Sequence, residues 1–215
     1  FAGGLGLHTQ YLGWGVGFFD MDNDGWPDIL ICNGHVYPEV EQLKTEAGYA
    51  QRKLLYRNQR NGHFEDVSFQ AGDGISALAP SRGCAFGDID NDGDIDVVVN
   101  NVNHLPQLLR CDSHSGNNWI KVKLVGTKSN RSAIGARVLV RYGGKVQAQD
   151  VLSQSSFYSC NDPRLHYGLG AFDSVDIEVF WPSGLHETFK AVAANQLLTV
   201  REAKGIVPSK GWTKK

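Results

Sequence analysis

The sequence predicts an all-β fold: partial β-propeller blades over residues 1–111, an antiparallel β-sandwich over 112–205 and a basic tail over 206–215. Three observations carry that expectation. The chain has 25 glycines among 215 residues and few long helix-forming runs, a composition of many turns and short strands. An aspartate-rich loop between apolar segments occurs twice, 68 residues apart. From Asn118 onward, apolar and polar residues alternate with a period of two, the mark of half-buried strands.

The first copy of the repeat, Trp14 to Asn33, reads WGVGFFDMDNDGWPDILICN, and the second, Arg82 to Asn101, reads RGCAFGDIDNDGDIDVVVNN. Gly15, Phe18, Asp20, Asp22, Asn23, Asp24, Gly25, Asp28 and Asn33 return as Gly83, Phe86, Asp88, Asp90, Asn91, Asp92, Gly93, Asp96 and Asn101. In each copy an apolar segment precedes the loop and an aliphatic run follows it, so the loop joins two strands. Between the copies, KLLYRN and GHFEDVSF read as two further strands about the turn QRNG. The unit therefore has about four strands, the size of a propeller blade. Glu39 to Arg52, EVEQLKTEAGYAQR, has helical composition and is expected to form an inserted excursion.

In the second region WIKVKLV sets Ile120, Val122 and Leu124 against Lys121 and Lys123. ARVLVRY sets Val138, Val140 and Tyr142 against Arg137 and Arg141, and VDIEVFW sets Val175, Ile177, Val179 and Trp181 against Asp176 and Glu178. With KVQAQDVL, SSFYSC, RLHYGLG, HETFKAV and NQLLTVRE the count reaches about eight strands. Turns such as YGGK and WPSG separate them, which suggests a sandwich or barrel.

A net charge of −2 hides an asymmetry. Residues 1–111 carry 15 acidic and 7 basic side chains, residues 112–215 carry 8 and 14, and nine of the 23 acidic residues lie in the two loops. The negative charge is concentrated at two points, not spread over a solvated face. No apolar run approaches the roughly 18 residues that span a bilayer. Because the chain opens on Phe1, a processed or longer parent chain is expected. Residues 1–111 hold fewer than two blades, and a propeller needs several to hide its strand edges, so missing blades or a partner subunit are expected to cover them. The four cysteines are widely spaced without C-x-x-C, which leaves two disulfides or buried free thiols open and gives a thiolate metal site little support.

The loops carry the chemistry. Carboxylates at positions 1, 3, 5 and 9, with glycine at position 6 to turn the chain, gather hard oxygen donors about one point. Unit charges about 4 Å apart repel by about 1 kcal/mol in water and several times more at a partly screened surface, a cost that a divalent cation reverses. Calcium accepts six to eight oxygens in flexible geometry, whereas magnesium demands a tight octahedron. The expectation is two Ca²⁺ sites: Asp20, Asp22, Asp24 and Asp28, and Asp88, Asp90, Asp92 and Asp96, with Trp26 and Asp94 at position 7 each donating a backbone carbonyl. An EF-hand is disfavoured, because the loop closes at nine residues on aspartate between strands. Paired catalytic carboxylates usually stand across a cleft and do not chelate within one turn.

The first region resembles the FG-GAP (VCBS-type) repeats of β-propellers, integrin α-subunit calcium loops among them: FGDIDNDGDID at Phe86 to Asp96 is a near-complete match, while the first copy has Phe19 where the second has Gly87. From NNWIKVKLVGTKSNRSAIGARV through NDPRLHYGLG to VDIEVFWPSG the chain is similar to the ASPIC/UnbV domain, and the combination resembles the cartilage acidic protein 1-like family. These likenesses imply a secreted, periplasmic or cell-surface protein with bound calcium, and no established catalytic residues. Cys111 and Cys160 stand where the resemblance implies polar residues.

The function expected from all of this is a calcium-binding extracytoplasmic binding, adhesion or scaffold module in which calcium is structural. Its partners would be protein or polysaccharide at the cell surface, with no nucleic acid and no membrane span. Alternatives are a subunit of a surface assembly whose strand edges pair between chains, or an accessory or enzyme acting on carbohydrate or a small molecule. No P-loop, dinucleotide fingerprint or G-x-S-x-G elbow appears. Lys121, Lys123, Lys128, Arg131, Arg137, Arg141 and Lys145 form a basic face, expected to be solvated or to dock on acidic surface. Trp119, Trp181 and Trp212 are candidates for stacking on sugars, although the first two, at strand ends, are expected to pack, and His35, His166 and His186 are expected to lie in turns or core, since no ligand spacing relates the histidines.

Overall fold

The computed structural model describes residues 3–43, 48–113 and 115–208. It is all-β, with 46% of residues in strands and 6% in helix, and no sheet closes on itself. The chain divides into two compact units: the first comprises residues up to Met21, Trp26–Ser113 and Gln154–Asn161, and the second Asp22–Gly25, His114–Ser153 and residues from Asp162 onward.

In the first unit, β1 (Gly13–Phe19), β2 (Asp28–Asn33), β3 (Leu54–Asn58) and β4 (Phe64–Asp66) form an antiparallel sheet in sequence order. A second sheet holds β5 (Ser81–Gly87), β6 (Asp96–Asn101) and β7 (Gln107–Leu109) in the same order. The aliphatic run ILIC is buried on both faces of β2. Leu30 and Cys32 join Leu55, Cys84, Phe86, Val97 and Val99 in one cluster, while Ile29 joins Leu54 and Tyr56 in another. Each large apolar side chain so buried contributes about 1.5–3 kcal/mol. The sheets approach closely because β1 alternates glycine: a Cβ on Gly15 would lie 2.6 Å from the Arg82 carbonyl oxygen, and one on Gly17 would run into the Phe86 ring.

Among its described residues the excursion holds no α-helix. Residues 34–53 link β2 to β3 and contain a 3₁₀ turn at Pro38–Gln42, and Gly34 bridges Ala50. Pro38 opens the 3₁₀ turn at a position where its missing N–H costs nothing; residues 44–47 lie outside those described. The second copy replaces this link with residues 102–106, and its sheet has three strands, not four.

The second unit is a two-sheet sandwich. One sheet has the order β10 (Lys145–Asp150), β9 (Arg137–Tyr142), β12 (Ser174–Phe180), β13 (His186–Ala193). The other has β11 (Leu165–Gly170), β8 (Asn118–Val125), β14 (Gln196–Arg201), β15 (Gly205–Val207). The alternating residues meet as expected: Ile120, Val122, Val138, Val140, Ile177, Val179 and Val200 are all fully sealed, with Tyr167 and Trp181 among them. β8 and β14 run parallel, although every other pairing is antiparallel.

Two local expectations differ from the structure. SSFYSC is a turn with a single bridge, Ser156 to Ser159, and the eighth strand is instead β15, which takes Ile206 and Val207 out of the tail; residues 209–215, Trp212 among them, lie outside the described residues. Lys121 is buried, because β8 is flanked on both sides and Lys121 stands in register between His166 and Leu197. The rest of the basic face, Lys123, Lys128, Arg131, Arg137, Arg141 and Lys145, is exposed as expected, with Arg137 bonding Asp150 at 2.8 Å and Arg141 bonding Glu178 at 2.5 Å.

Candidate metal centre

Both acidic loops are hairpin connections. Phe19 pairs with Asp28 and Gly87 with Asp96, so the first carboxylate of each loop follows one strand and the last opens the next. Two left-handed residues let the chain coil between them. Asn23 (φ 57°) and Gly25 (φ 84°) match Asn91 (φ 63°) and Gly93 (φ 102°). Glycine adopts this conformation freely and asparagine tolerates it better than other L-residues. The role of the asparagine was missed from sequence, although its recurrence in the repeat was the signal.

In each loop three carboxylates converge. One oxygen each from Asp20, Asp22 and Asp28 lie within 4.8 Å of one another, as do those from Asp88, Asp90 and Asp96. Among the described residues these are the two groups of three or more potential ligand side chains. Asp24 and Asp92 fall outside the trios. The amide of Asp94 donates to Asp92 at 2.9 Å and that of Asp92 to Asp90 at 3.2 Å. The Asp94 carboxylate accepts from the Ser113 amide at 3.0 Å, and Trp26 is half-buried.

The last aspartate of each loop is also a brace, which the sequence did not reveal. Asp28 accepts from the Met21 amide at 2.9 Å through one oxygen and from the Asn58 amide at 2.8 Å through the other. Asp96 does the same with Ile89 (2.9 Å) and Cys111 (3.0 Å). In both copies a single carboxylate therefore ties its own loop to the end of the third strand. Asp88 in turn accepts from the Gly93 amide at 2.9 Å.

The first and last carboxylates of each loop are buried, while Asp22 is half-buried and Asp90 exposed. Asp20 is 8% exposed, Asp28 1%, Asp88 1% and Asp96 2%. Buried like charges a few ångströms apart are costly unless hydrogen bonds or a cation compensate. Partial desolvation raises the Asp92 carboxyl above its ordinary range; the Asp94 amide opposes this, and the charges of Asp90, Asp94 and Asp88 add to it. An all-oxygen, carboxylate-rich donor set of this kind fits a hard cation of flexible coordination, which is calcium's chemistry.

Among the described residues no histidine joins a group of potential ligands. His166 stacks on Trp119 with ring centroids 6.1 Å apart, His186 stacks on Phe180 at 4.3 Å, and His35 accepts from the Tyr37 amide. Trp181 packs in the sandwich core and its indole N–H donates to Glu187 at 2.7 Å.

Comparison with known proteins matches residues 47–99 to the FG-GAP-like repeat and residues 126–207 to the ASPIC and UnbV family. Cartilage acidic protein 1 of Mus musculus and of Homo sapiens are each 28% identical over 190 residues, and that of Xenopus tropicalis is 29% identical over 188. These alignments cover 84–85% of this chain and 27% of each relative, so the chain spans about a quarter of the relatives' length. The chain is thus similar to an FG-GAP-like repeat followed by an ASPIC and UnbV segment, and along most of its length it resembles cartilage acidic protein 1.

Proposed function

We propose that the chain is a calcium-binding module of an extracytoplasmic protein that works in binding, adhesion or scaffolding, and that its calcium is structural. The observation that carries this reading is the same three-carboxylate convergence in two loops of one repeat. Asp20, Asp22 and Asp28 would hold one ion and Asp88, Asp90 and Asp96 the other. Asp24, Asp92 and the carbonyls of Trp26 and Asp94 are the further donors the spacing supplies. A bound divalent ion offsets the mutual repulsion of the carboxylates and fixes the hairpin that each loop closes.

A secreted, periplasmic or cell-surface location and a protein or polysaccharide partner belong to the same proposal, supported by the FG-GAP-like match. Among the described residues no helix is long and apolar enough to cross a membrane. The test is calcium titration calorimetry on the metal-stripped chain. Two ions per chain are expected, falling to one in Asp22→Ala or Asp90→Ala. Absence of binding at millimolar calcium, or binding unaffected by both substitutions, overturns the reading.

A second reading, a surface assembly with strand edges paired between chains, is favoured by the open borders of all four sheets, which end on β1 and β4, β5 and β7, β10 and β13, and β11 and β15. Exposed edges are templates for pairing with another chain. Solution mass with and without calcium separates the two: a monomer at all concentrations removes the assembly.

A further inference from the structure

Two thiols face one another in the core of the first unit. Cys32 lies on β2 and Cys84 on β5, in different sheets, and the side chains are 0% and 1% exposed. Their sulfurs are within hydrogen-bonding reach of each other. The space around them is filled by Leu30, Leu55, Phe86 and Val99. Gly15 leaves room for the pair, since a Cβ there would stand 2.8 Å from the Cys84 sulfur. Nothing polar is needed on the sulfurs' behalf once they are joined, whereas two thiols sealed in an apolar core can satisfy only one S–H between them.

One buried cation stands close by. Lys53 is 0% exposed and donates to the carbonyls of Gly74 (3.1 Å) and Ala77 (3.5 Å), and its charge acts on Cys32. Burial pulls the Lys53 ammonium below its ordinary value. In the closed core the Cys84 side chain and burial push the Cys32 thiol well above its ordinary value and the Lys53 charge only opposes this, so the thiolate that attacks a disulfide forms before the core closes.

We propose that Cys32 and Cys84 form a disulfide that links the two sheets of the first unit when the chain folds in an oxidising compartment. The oxidant is a small-molecule or protein disulfide, for which oxidised glutathione serves as the probe. One cysteine thiolate attacks the oxidant's S–S bond and expels one glutathione thiolate. The second cysteine thiolate then displaces the other glutathione from the mixed disulfide. Two S–H bonds and one S–S bond are consumed, and one protein S–S bond and two glutathione thiols result. Because both sulfurs are sealed in the folded state, exchange precedes closure of the core. Cys111, whose thiol donates to the Met21 carbonyl at 3.5 Å, and the exposed Cys160 stay outside the link.

The experiment folds the 215-residue chain in a reduced and oxidised glutathione mixture, alkylates it in denaturant and maps unreduced peptides by mass. A peptide joining Cys32 to Cys84, lighter by two hydrogens, with Cys111 and Cys160 alkylated, is expected. Four alkylated cysteines, or a link through any other cysteine, overturn the proposal. The oxidised chain should also melt about 10 °C above a chain folded in reductant, and Cys32→Ala/Cys84→Ala should abolish that difference. Equal melting of oxidised and reduced wild-type chains would overturn the cross-link's structural role. Should the double variant fail to fold, the peptide map of the wild-type chain still decides the matter, and neither result depends on calcium.

Discussion

The two acidic loops are alike in sequence and backbone and unlike in surroundings. In the first, Asn23 and Asp24 at the tip are 2% and 8% exposed; in the second, Asp90, Asn91 and Asp92 are all exposed. The first tip is assigned to the sandwich unit, where the Gly170 amide donates to the Asn23 carbonyl at 2.8 Å and the Asn117 side chain to the Asp22 carbonyl at 2.8 Å. A Cβ on Gly25 would press on the Tyr142 hydroxyl at 2.5 Å. Yet both loops bring the same three carboxylates together and brace the ninth in the same way. Convergence is therefore a property of the loop and its hairpin strands, and what packs on the tip is an addition to it.

The largest effect that could break this comparison is removal of calcium from both loops at once. An ion that binds only the folded chain adds about 2.7 kcal/mol per site at a hundredfold excess over Kd. Chelation with EDTA should then lower the melting temperature by roughly 10 °C or more for a chain of this size. Calorimetric scans in calcium and in EDTA measure it. Superimposable scans would mean that neither loop holds a structural ion.

Single-loop changes sharpen the comparison further. Asp22→Ala and Asp90→Ala should each forfeit one site's share, about 2.7 kcal/mol in calcium at the same excess. In EDTA, each should cost much less, because deleting one of three crowded carboxylates relieves repulsion. Denaturant melts of both variants under both conditions give the four numbers. Equal destabilisation with and without calcium would show that these side chains matter for folding alone.

Much of this was legible beforehand, and the reasons are physical. A nine-residue motif that repeats with intact spacing encodes a local geometry, and local geometry survives transfer between environments. Strict alternation likewise fixed the inner faces of the sandwich, down to Ile120, Val122 and Val140, because a strand has only two faces. What was missed depends on partners distant in the chain. Alternation reports which face a residue occupies but not which strand lies beside it, so the parallel neighbour of β8 and the burial of Lys121 were both hidden. Helical composition in Glu39 to Arg52 yields, among the described residues, a 3₁₀ turn, because propensity alone does not make a helix. The double duty of Asp28 and Asp96 required knowing where Asn58 and Cys111 would fall.

A loop in the sandwich offers the opposite balance of charge and donors. Glu202 is buried, and one oxygen accepts from the amides of Thr127, Lys128 and Ser129, each at 2.7 Å, while the other takes the hydroxyls of Ser129 and Ser183. Burial alone would raise its carboxyl, but the Ser183 hydroxyl, the Thr127 and Ser129 amides and the Ser129 hydroxyl outweigh it and hold the group well below the usual range. A carboxyl depressed in the folded state contributes its full stability above the unfolded value near 4.5 and loses it as pH falls from there towards the folded value. Glu202→Gln should therefore lower stability at neutral pH and flatten the acid limb of the stability profile below about pH 4.5. Melting temperatures of both chains from pH 7 to pH 3 in EDTA check it. A variant whose acid limb parallels wild type would remove Glu202 as the source.

The smallest effect returns to the loops. Alanine tolerates the left-handed region worse than asparagine, by about 1 kcal/mol, so Asn23→Ala and Asn91→Ala should both destabilise the metal-free chain. They should not do so equally. Asn91 is exposed, where water replaces a lost contact, and should cost chiefly the backbone strain, while Asn23 is 2% exposed and should add the loss of a buried polar side chain, bringing the total to about 2 kcal/mol. Urea melts in EDTA resolve a difference of that size. If the two variants proved equally stable while calcium affinity fell by the same factor in each, the environment of the first tip would be energetically silent, and the loop's own coil would account for all that the two copies do.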